Sequence, residues 1–193
     1  MGDDHDHVIS DRRTLYIVLI LNFSMFLLEI LQGVAADSTA LLADSMDFIG
    51  DSFSYAITIY ALQKHLHIRA RVAIIKASLM LLVAAGVLVH GIFNFMAQAV
   101  PEYITMGWVG ILALIANATS ALLLYQSRSR DSNMRSVWLC SRNDMLANIM
   151  ILLAAYLVFV TGSLLPDLLV ALGIAYLGSS SAIKIIRHAK EEL

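Results

Sequence analysis

Residues 38–51 read STALLADSMDFIGD, and two of their carboxylates, Asp47 and Asp51, are one helical turn apart. These acids lie inside an almost unbroken apolar stretch that runs from residue 41 to residue 62. A carboxylate inside a membrane costs several kcal/mol, so an acid there is by default a functional residue that needs a partner. Cys140 and Asp144 repeat the spacing in a second apolar stretch. Four ligand-type side chains on two helices indicate a divalent metal site.

The composition around these acids is that of a membrane protein. Of 193 residues, 59% are hydrophobic and 15% are charged, and the mean hydropathy is +0.76. These values are far from those of an average soluble domain. Only two prolines interrupt the chain, and the alternation of a β-barrel is absent, so helices should span the bilayer. We therefore expect an all-α membrane protein, in which the single cysteine excludes an intramolecular disulfide.

Six stretches are each close to the roughly 20 residues that a bilayer requires. They are Leu15–Ala35, Ala40–Leu62, Val72–Met96, Ile104–Tyr125, Arg135–Val160 and Leu165–Ile186. Residues 1–14 are expected to form a cytoplasmic N-terminal tail. Residues 1–193 are expected to form one transmembrane domain, with no soluble domain at the C-terminus.

The charge distribution orients these six spans. With an even number of crossings both termini share one side, and most of the lysines and arginines lie at the termini and in the two loops of that side. The opposite loops, around Asp37, Glu102 and Asp167, contain no Lys or Arg. The positive-inside rule then predicts cytoplasmic N and C termini. We expect a multi-pass protein of the cell membrane, in a bacterium the inner membrane.

Helix geometry brings the two ligand pairs to the same depth. Residues four apart share a face and are separated by about 6 Å along the axis. Asp51 falls at the middle of its span, and Asp144 falls within roughly 4.5 Å of the middle of the fifth span. Two antiparallel helices could therefore surround one ion with Asp47, Asp51, Cys140 and Asp144, in the tetrahedral arrangement that zinc favours. Zinc is the first choice and cadmium the second, since carboxylates with one thiolate also suit cadmium and cobalt.

Simpler interpretations compete with the metal site. A lone cysteine in an apolar segment is usually a small hydrophobic residue, so Cys140 by itself indicates little. A lone membrane acid can hydrogen-bond a neighbouring helix. Two acids four residues apart repel each other as anions, however, unless a cation or protons neutralise them. The pair Asp47 and Asp51 therefore favours the metal site more strongly than Cys140 does.

Four further residues are auxiliary candidates. Asp44 is close to the face of Asp47 and could accept protons, assist the ligands or serve helix packing. Asn148, one turn after Asp144, could orient that carboxylate or contact the ion. His65 and His67, in the loop after the second span, could capture ions at the cytoplasmic entrance, although the simpler interpretation is a solvated polar loop.

The run from Ser38 to Asp51 resembles the second helix of the cation diffusion facilitators, in which Leu-Leu-Ala-Asp precedes two ligands four residues apart. The resemblance places Asp47 and Asp51 at the ligand positions. The fifth helix of that family carries a His four residues before an Asp. The run WLCSRND, which ends at Asp144, resembles it with Cys140 in place of the His.

The resemblance extends over essentially the whole chain. Asn22, Glu29 and Gly33 are similar to the family's first span. The segment around Cys140 is typical of the short branch that lacks the cytoplasmic C-terminal domain. The resemblance implies a six-helix cation efflux transmembrane domain. It also implies a homodimer held by membrane helices, since the third and sixth spans, which are rich in small residues, lie near the dimer contact in that family.

The charges suggest a mechanism. Carboxylates in a medium of low dielectric constant are neutralised by protons when the metal leaves, and a divalent cation that binds deprotonated ligands releases protons. We therefore expect metal/proton antiport, in the direction of efflux that the resemblance implies, with the metal as substrate and the proton as coupling ion. We expect no enzyme activity, no prosthetic group and no nucleic-acid partner.

Three other functions remain open from the sequence. An exporter of small organic cations would also use an acid cluster, but such sites have aromatic faces, and only Phe48 and Phe53 flank the acids. A membrane metalloenzyme would usually have histidine ligands, and the chain has no HExxH element. A membrane metal-binding protein that does not transport its metal is the third.

Overall fold

The protein is described here by a computed structural model of residues 3–61, 66–125 and 132–191, without the side chains of 3–11, 60–61, 66–70, 72, 132–137, 140 and 191. Six helices follow one another: α1 (Asp3–Ala35), α2 (Thr39–Ala61), α3 (Leu66–Ala97), α4 (Tyr103–Tyr125), α5 (Ser132–Thr161) and α6 (Leu165–Glu191). The described residues contain no strand. The prediction of an all-α protein with six helices is confirmed.

Five of the six described helices are long and apolar enough to cross a membrane, and α2 is the exception. It carries Asp44, Asp47 and Asp51 within eight residues. However, α2 contacts all five other helices, so it needs no apolar surface toward lipid. The outer helices supply that surface, since large apolar side chains such as Leu82, Leu122 and many others are exposed. This arrangement is that of a multi-pass membrane protein.

Several helices extend beyond the predicted spans. Helix α1 begins at Asp3, so the predicted N-terminal tail is already helical, and α6 continues to Glu191. Helix α3 begins at Leu66, six residues before the predicted span. The reason is that a bilayer fixes only the length of the apolar part, whereas the hydrogen bonds of a helix are local and continue into the polar boundary.

Three tight turns join the helices at the side predicted to face outward. Each contains a residue with positive φ: Asp37 (54°), Gln98 (53°) and Gly162 (60°). After α1, the amide of Ser38 donates to the carbonyl of Gly33 at 2.9 Å, which is the long bond of a Schellman motif. The chain therefore reverses in three residues between α1 and α2, and the acids of α2 enter the bundle at a fixed depth.

A carboxylate from α6 caps the first turn of α2. Asp167 accepts hydrogen bonds from the Ser38 hydroxyl at 2.7 Å and from the amides of Thr39 and Ala40 at 2.8 and 3.1 Å. It is 1% exposed. A helix leaves its first amides without partners, and an acid there also interacts favourably with the helix dipole. Asp167 thus ties the outer end of α2 to α6.

Candidate metal site

A cavity of about 680 Å³ opens among helices α2, α3, α5 and α6. Asp47 and Asp51 of α2 and Asp144 of α5 line it together. Asp47 and Asp144 are partly exposed, whereas Asp51 is 7% exposed. The structure therefore places three of the four predicted ligands in one cavity, on the two helices from which the sequence predicts them.

Asp51 is held by hydroxyl groups. The Tyr55 hydroxyl donates to Asp51 Oδ2 at 2.8 Å and lies 2.8 Å from Ser141 Oγ. Since the Tyr55 proton is used toward the carboxylate, Ser141 is the donor to Tyr55. Tyr55 is on α2 and Ser141 is on α5, so this bridge joins the two ligand helices.

A cation shares the cavity with the three acids. Lys76 of α3 lines it and interacts electrostatically with Asp47, Asp51 and Asp144. Its ammonium group donates to the Ser54 hydroxyl on α2. A metal ion that enters the cavity therefore meets one positive charge beside three carboxylates.

Helix α6 approaches the cavity closely at one glycine. A Cβ atom on Gly178 would overlap the end of the Met46 side chain and would lie 3.8 Å from Asp47 Oδ1. A larger residue at this position would require the flexible end of the Met46 side chain to move. By contrast, a Cβ on Gly86 of α3 would meet no atom within 4 Å.

Other predicted residues are placed differently. Cys140 lies in α5 one turn before Asp144, but its side chain is not among those described. His67 lies in the first turn of α3, again without a described side chain, and His65 lies outside the described residues. Their roles stay predictions.

Asp44 and Asn148 lie about one turn from Asp47 and Asp144 along α2 and α5, outside the cavity. Both are fully buried, and neither lines the cavity. Asn148 Nδ2 donates to Asp44 Oδ2 at 2.6 Å, and Asn117 Nδ2 of α4 donates to Asn148 Oδ1 at 3.0 Å. These two auxiliary candidates therefore belong to a polar network between α2, α4 and α5.

The three carboxylates that line the cavity are not clustered around a single position. Among the side chains that the structure describes, no three from His, Cys, Asp and Glu are close enough together to hold one ion. Asp47, Asp51 and Asp144 nevertheless act on one another electrostatically. To bind all three, a metal ion would have to draw these carboxylates together. Its positive charge would offset the repulsion between them.

Three residues at this site are not among those predicted from the sequence. Tyr55 continues the spacing of Asp47 and Asp51 by one more turn, so its place on the same face could have been found. Ser141 directly follows Cys140 but points to a different face, and no pattern singles it out. No spacing in the sequence links Lys76 to the acids, and only the packing of α3 against α2 places it in the cavity.

Comparison with known proteins supports the same picture. Residues 15–193 match the family model of the cation efflux transmembrane domain. The metal cation efflux system protein CzcD of Cupriavidus metallidurans is 25% identical over 173 residues, which cover 83% of this chain and 55% of that protein. The zinc transporter ZitB of Pectobacterium atrosepticum is 22% identical, over 100% of this chain and 65% of its own length.

The name of a third relative mentions protons. The cadmium, cobalt and zinc/H(+)-K(+) antiporter of Bacillus velezensis is 26% identical, with 84% of this chain and 56% of that protein covered. The chain thus spans only 55% to 65% of the length of these relatives. Since the family model covers nearly the whole chain, this protein belongs to the cation efflux family, the cation diffusion facilitators that its second and fifth helices resemble.

Proposed function

We propose that this protein exports a divalent metal cation from the cytoplasm in exchange for protons, through the cavity between α2, α3, α5 and α6. Zinc is the first proposed substrate, followed by cadmium and cobalt. The observation that carries the proposal is the convergence of three carboxylates, from α2 and α5, on one cavity within a bundle of membrane helices. The relatives support the metals, since their names state zinc, cadmium and cobalt.

The proposed ligands are Asp47, Asp51 and Asp144, with Cys140 as the fourth. Cys140 is one turn before Asp144 on α5, as Asp47 is one turn before Asp51 on α2. This set of three carboxylate oxygens and one thiolate matches the types and the number of ligands that zinc takes in proteins. Asp44 and Asn148 are not proposed as ligands, since they bond each other away from the cavity.

Charge balance supports the exchange with protons. An empty cavity would hold three carboxylates and only one neighbouring ammonium group, from Lys76. Such an excess of negative charge in a membrane is costly, and protons relieve it. A divalent ion would replace those protons when it binds and would be replaced by them when it leaves.

The lining of the cavity favours a metal ion over an organic cation. None of the described residues that line it is aromatic. Phe48, which flanks the acids in the sequence, is buried in a core cluster with Met25 and Ala113. Sites for organic cations use aromatic faces, which bind the cation through the ring quadrupole. Membership in a family of transporters also argues against an enzyme.

We also propose that two copies associate through their membrane helices. Gly86 of α3 faces open space, and its neighbours Leu82, Val89 and Phe93 are exposed apolar residues on the same helix. Small residues among large apolar ones allow helices from two chains to approach closely. Native mass spectrometry in lipid should detect a dimer, and a monomer under all lipid conditions would contradict this part of the proposal.

The test is zinc flux into proteoliposomes with Asp51→Asn and a matched control. The amide has the shape of the carboxylate but lacks its charge, so we expect loss of transport. Asp37→Asn makes the same change at an exposed loop residue with positive φ, a conformation that asparagine tolerates. That control should transport like the wild type.

Three results would count against the proposal. Zinc flux at the wild-type rate in Asp51→Asn would contradict the proposed metal site. Flux in the wild type that does not respond to an imposed pH gradient would contradict the proposed coupling to protons but not the proposed metal site. Zinc binding without any flux would favour a metal-binding protein that does not transport.

A further inference from the structure

A second group of acids is buried away from the cavity and lacks the hydrogen-bond donors that it needs. Glu29 of α1 and Asp44 of α2 are both 0% exposed. Their carboxyl groups are within hydrogen-bonding reach of each other. Among the described residues, neither oxygen of Glu29 has a hydrogen-bond donor, and Asp44 Oδ1 has none. Two ionised carboxylates only accept hydrogen bonds, so they can bond each other only if one carries a proton.

The neighbouring amides show which carboxyl is the acceptor. Asn117 donates to Asn148 at 3.0 Å, and Asn148 donates in turn to Asp44 Oδ2 at 2.6 Å. The donors of this chain therefore all point toward Asp44, which fits an ionised Asp44. Glu29 receives no such donor. A proton on Glu29 would donate to Asp44 Oδ1 and give both of these unpartnered atoms a hydrogen bond.

The energetics favour one shared proton over none. A buried anion without a donor costs several kcal/mol, and a second anion in contact adds repulsion in a medium of low dielectric constant. One proton removes one charge and makes a short hydrogen bond to the other carboxylate. Two carboxyl groups in contact then titrate as a pair.

The pair is separate from the metal cavity but linked to it through charge. Neither Glu29 nor Asp44 lines the cavity. Asp47 acts electrostatically on Glu29, and Asp44 acts on Asp47 and Asp144. Asp47 of α2 and Asp144 of α5 are the charged groups that interact with the pair, and Lys76 of α3 interacts with both of these acids. From α4 the described neighbour in this network is the neutral Asn117.

We propose that Glu29 and Asp44 form a proton-binding site, separate from the metal ligands, that holds one exchangeable proton and releases it when a metal ion occupies the cavity. In this step the O–H bond of Glu29 breaks and the proton passes to water, while both carboxylates become ionised. The divalent ion beside Asp47 compensates the added negative charge. When the metal leaves, the proton returns. This proposal deepens the proposed antiport and rests on it for its role in transport.

The experiment uses the full chain in lipid and measures two quantities that do not require transport. Infrared spectroscopy records the carbonyl band of a protonated carboxyl group, which shifts in D₂O. A pH indicator in weak buffer counts the protons released for each zinc ion bound. The variant is Glu29→Gln, whose amide can still donate to Asp44. The control is Glu102→Gln, which makes the same change at an exposed residue in the α3–α4 turn.

We expect the wild type and Glu102→Gln to show the band at neutral pH and to lose it when zinc binds. Glu29→Gln should show a weaker band, since only protons on the cavity acids remain to produce it, and should release about one proton fewer per zinc ion, with zinc still bound. If Glu29→Gln does not fold, Asp44→Asn should show the same deficit. An unchanged proton count in the variant, or no such band in the wild type, would overturn the proposal.

Failure of the antiport gives a different pattern. In that case the wild type would release protons on binding zinc and Glu29→Gln would release fewer, but zinc flux would ignore an imposed pH gradient. This result would support the proton site and reject only its part in transport.

Discussion

Tyr55→Phe removes one oxygen atom and little else. The Tyr55 side chain is 0% exposed, and its ring packs in a cluster with Leu15, Val18, Ile59 and others, which phenylalanine would preserve. What is lost is the hydrogen bond of 2.8 Å to Asp51 and the contact of 2.8 Å with Ser141. The variant therefore tests whether this bridge orients Asp51 for a metal ion.

The expected effect is a loss of zinc affinity of about 10- to 100-fold. A hydrogen bond to a charged group contributes about 1.5–3 kcal/mol, and about 1.4 kcal/mol corresponds to a factor of ten in affinity. The range agrees with the usual effect of removing a residue that orients a metal ligand. Without the hydroxyl, the orientation of Asp51 is less restricted, and restricting it again opposes metal binding.

Isothermal titration with zinc measures the affinity, and thermal unfolding of the same sample shows whether the fold is intact. Tyr16→Phe is the matched control, because Tyr16 is 49% exposed on α1. It should bind zinc like the wild type. If Tyr55→Phe binds zinc with unchanged affinity and unfolds at the same temperature, the bridge does not position Asp51 and the reasoning is refuted.

Two further predictions concern charges around the site. Lys76→Gln should raise zinc affinity by about tenfold, whereas Lys76→Arg, which keeps the charge, should not. A factor of about ten is the order of one unit-charge interaction across the cavity at an effective dielectric constant of about 20. Titration with zinc measures both affinities, and equal affinity in the two variants would refute this prediction. Asp167→Ala removes all three hydrogen bonds to the start of α2 and should lower the free energy of unfolding by about 3 kcal/mol, with a smaller loss in Asp167→Asn. Chemical unfolding in detergent measures both losses. A loss below about 0.5 kcal/mol in Asp167→Ala would show that Asp167 does not stabilise the start of α2.

Two neighbouring levels of α2 have different chemistry. Asp47 and Asp51 face a cavity that the partly exposed Asp144 also lines. Asp44, three residues before Asp47, faces Glu29 and Asn148 in a region without exposed surface. At about 100° and 1.5 Å per residue, Asp44 is about 60° around the axis and about 4.5 Å along it from Asp47. One central helix can therefore carry a metal site and, about one turn farther along its axis, a buried polar network.

The sequence by itself determined the helical class, the approximate spans and the facing pairs on α2 and α5. It could do so because the hydrocarbon thickness fixes span length, and because helix geometry puts residues four apart on one face. These are local rules that need no knowledge of packing. The same rule could have added Tyr55, which continues the face of Asp47 and Asp51.

Only the tertiary structure decided which helices enclose the acids. Lys76 comes from α3, and the cap on α2 comes from Asp167 of α6, more than 120 residues away from it in sequence. The contact between Glu29 and Asp44 likewise depends on how α1 packs against α2. Periodicity gives the direction of a side chain from its own helix, but not the neighbouring helix toward which it points. That neighbour is set by the packing of all six helices around α2.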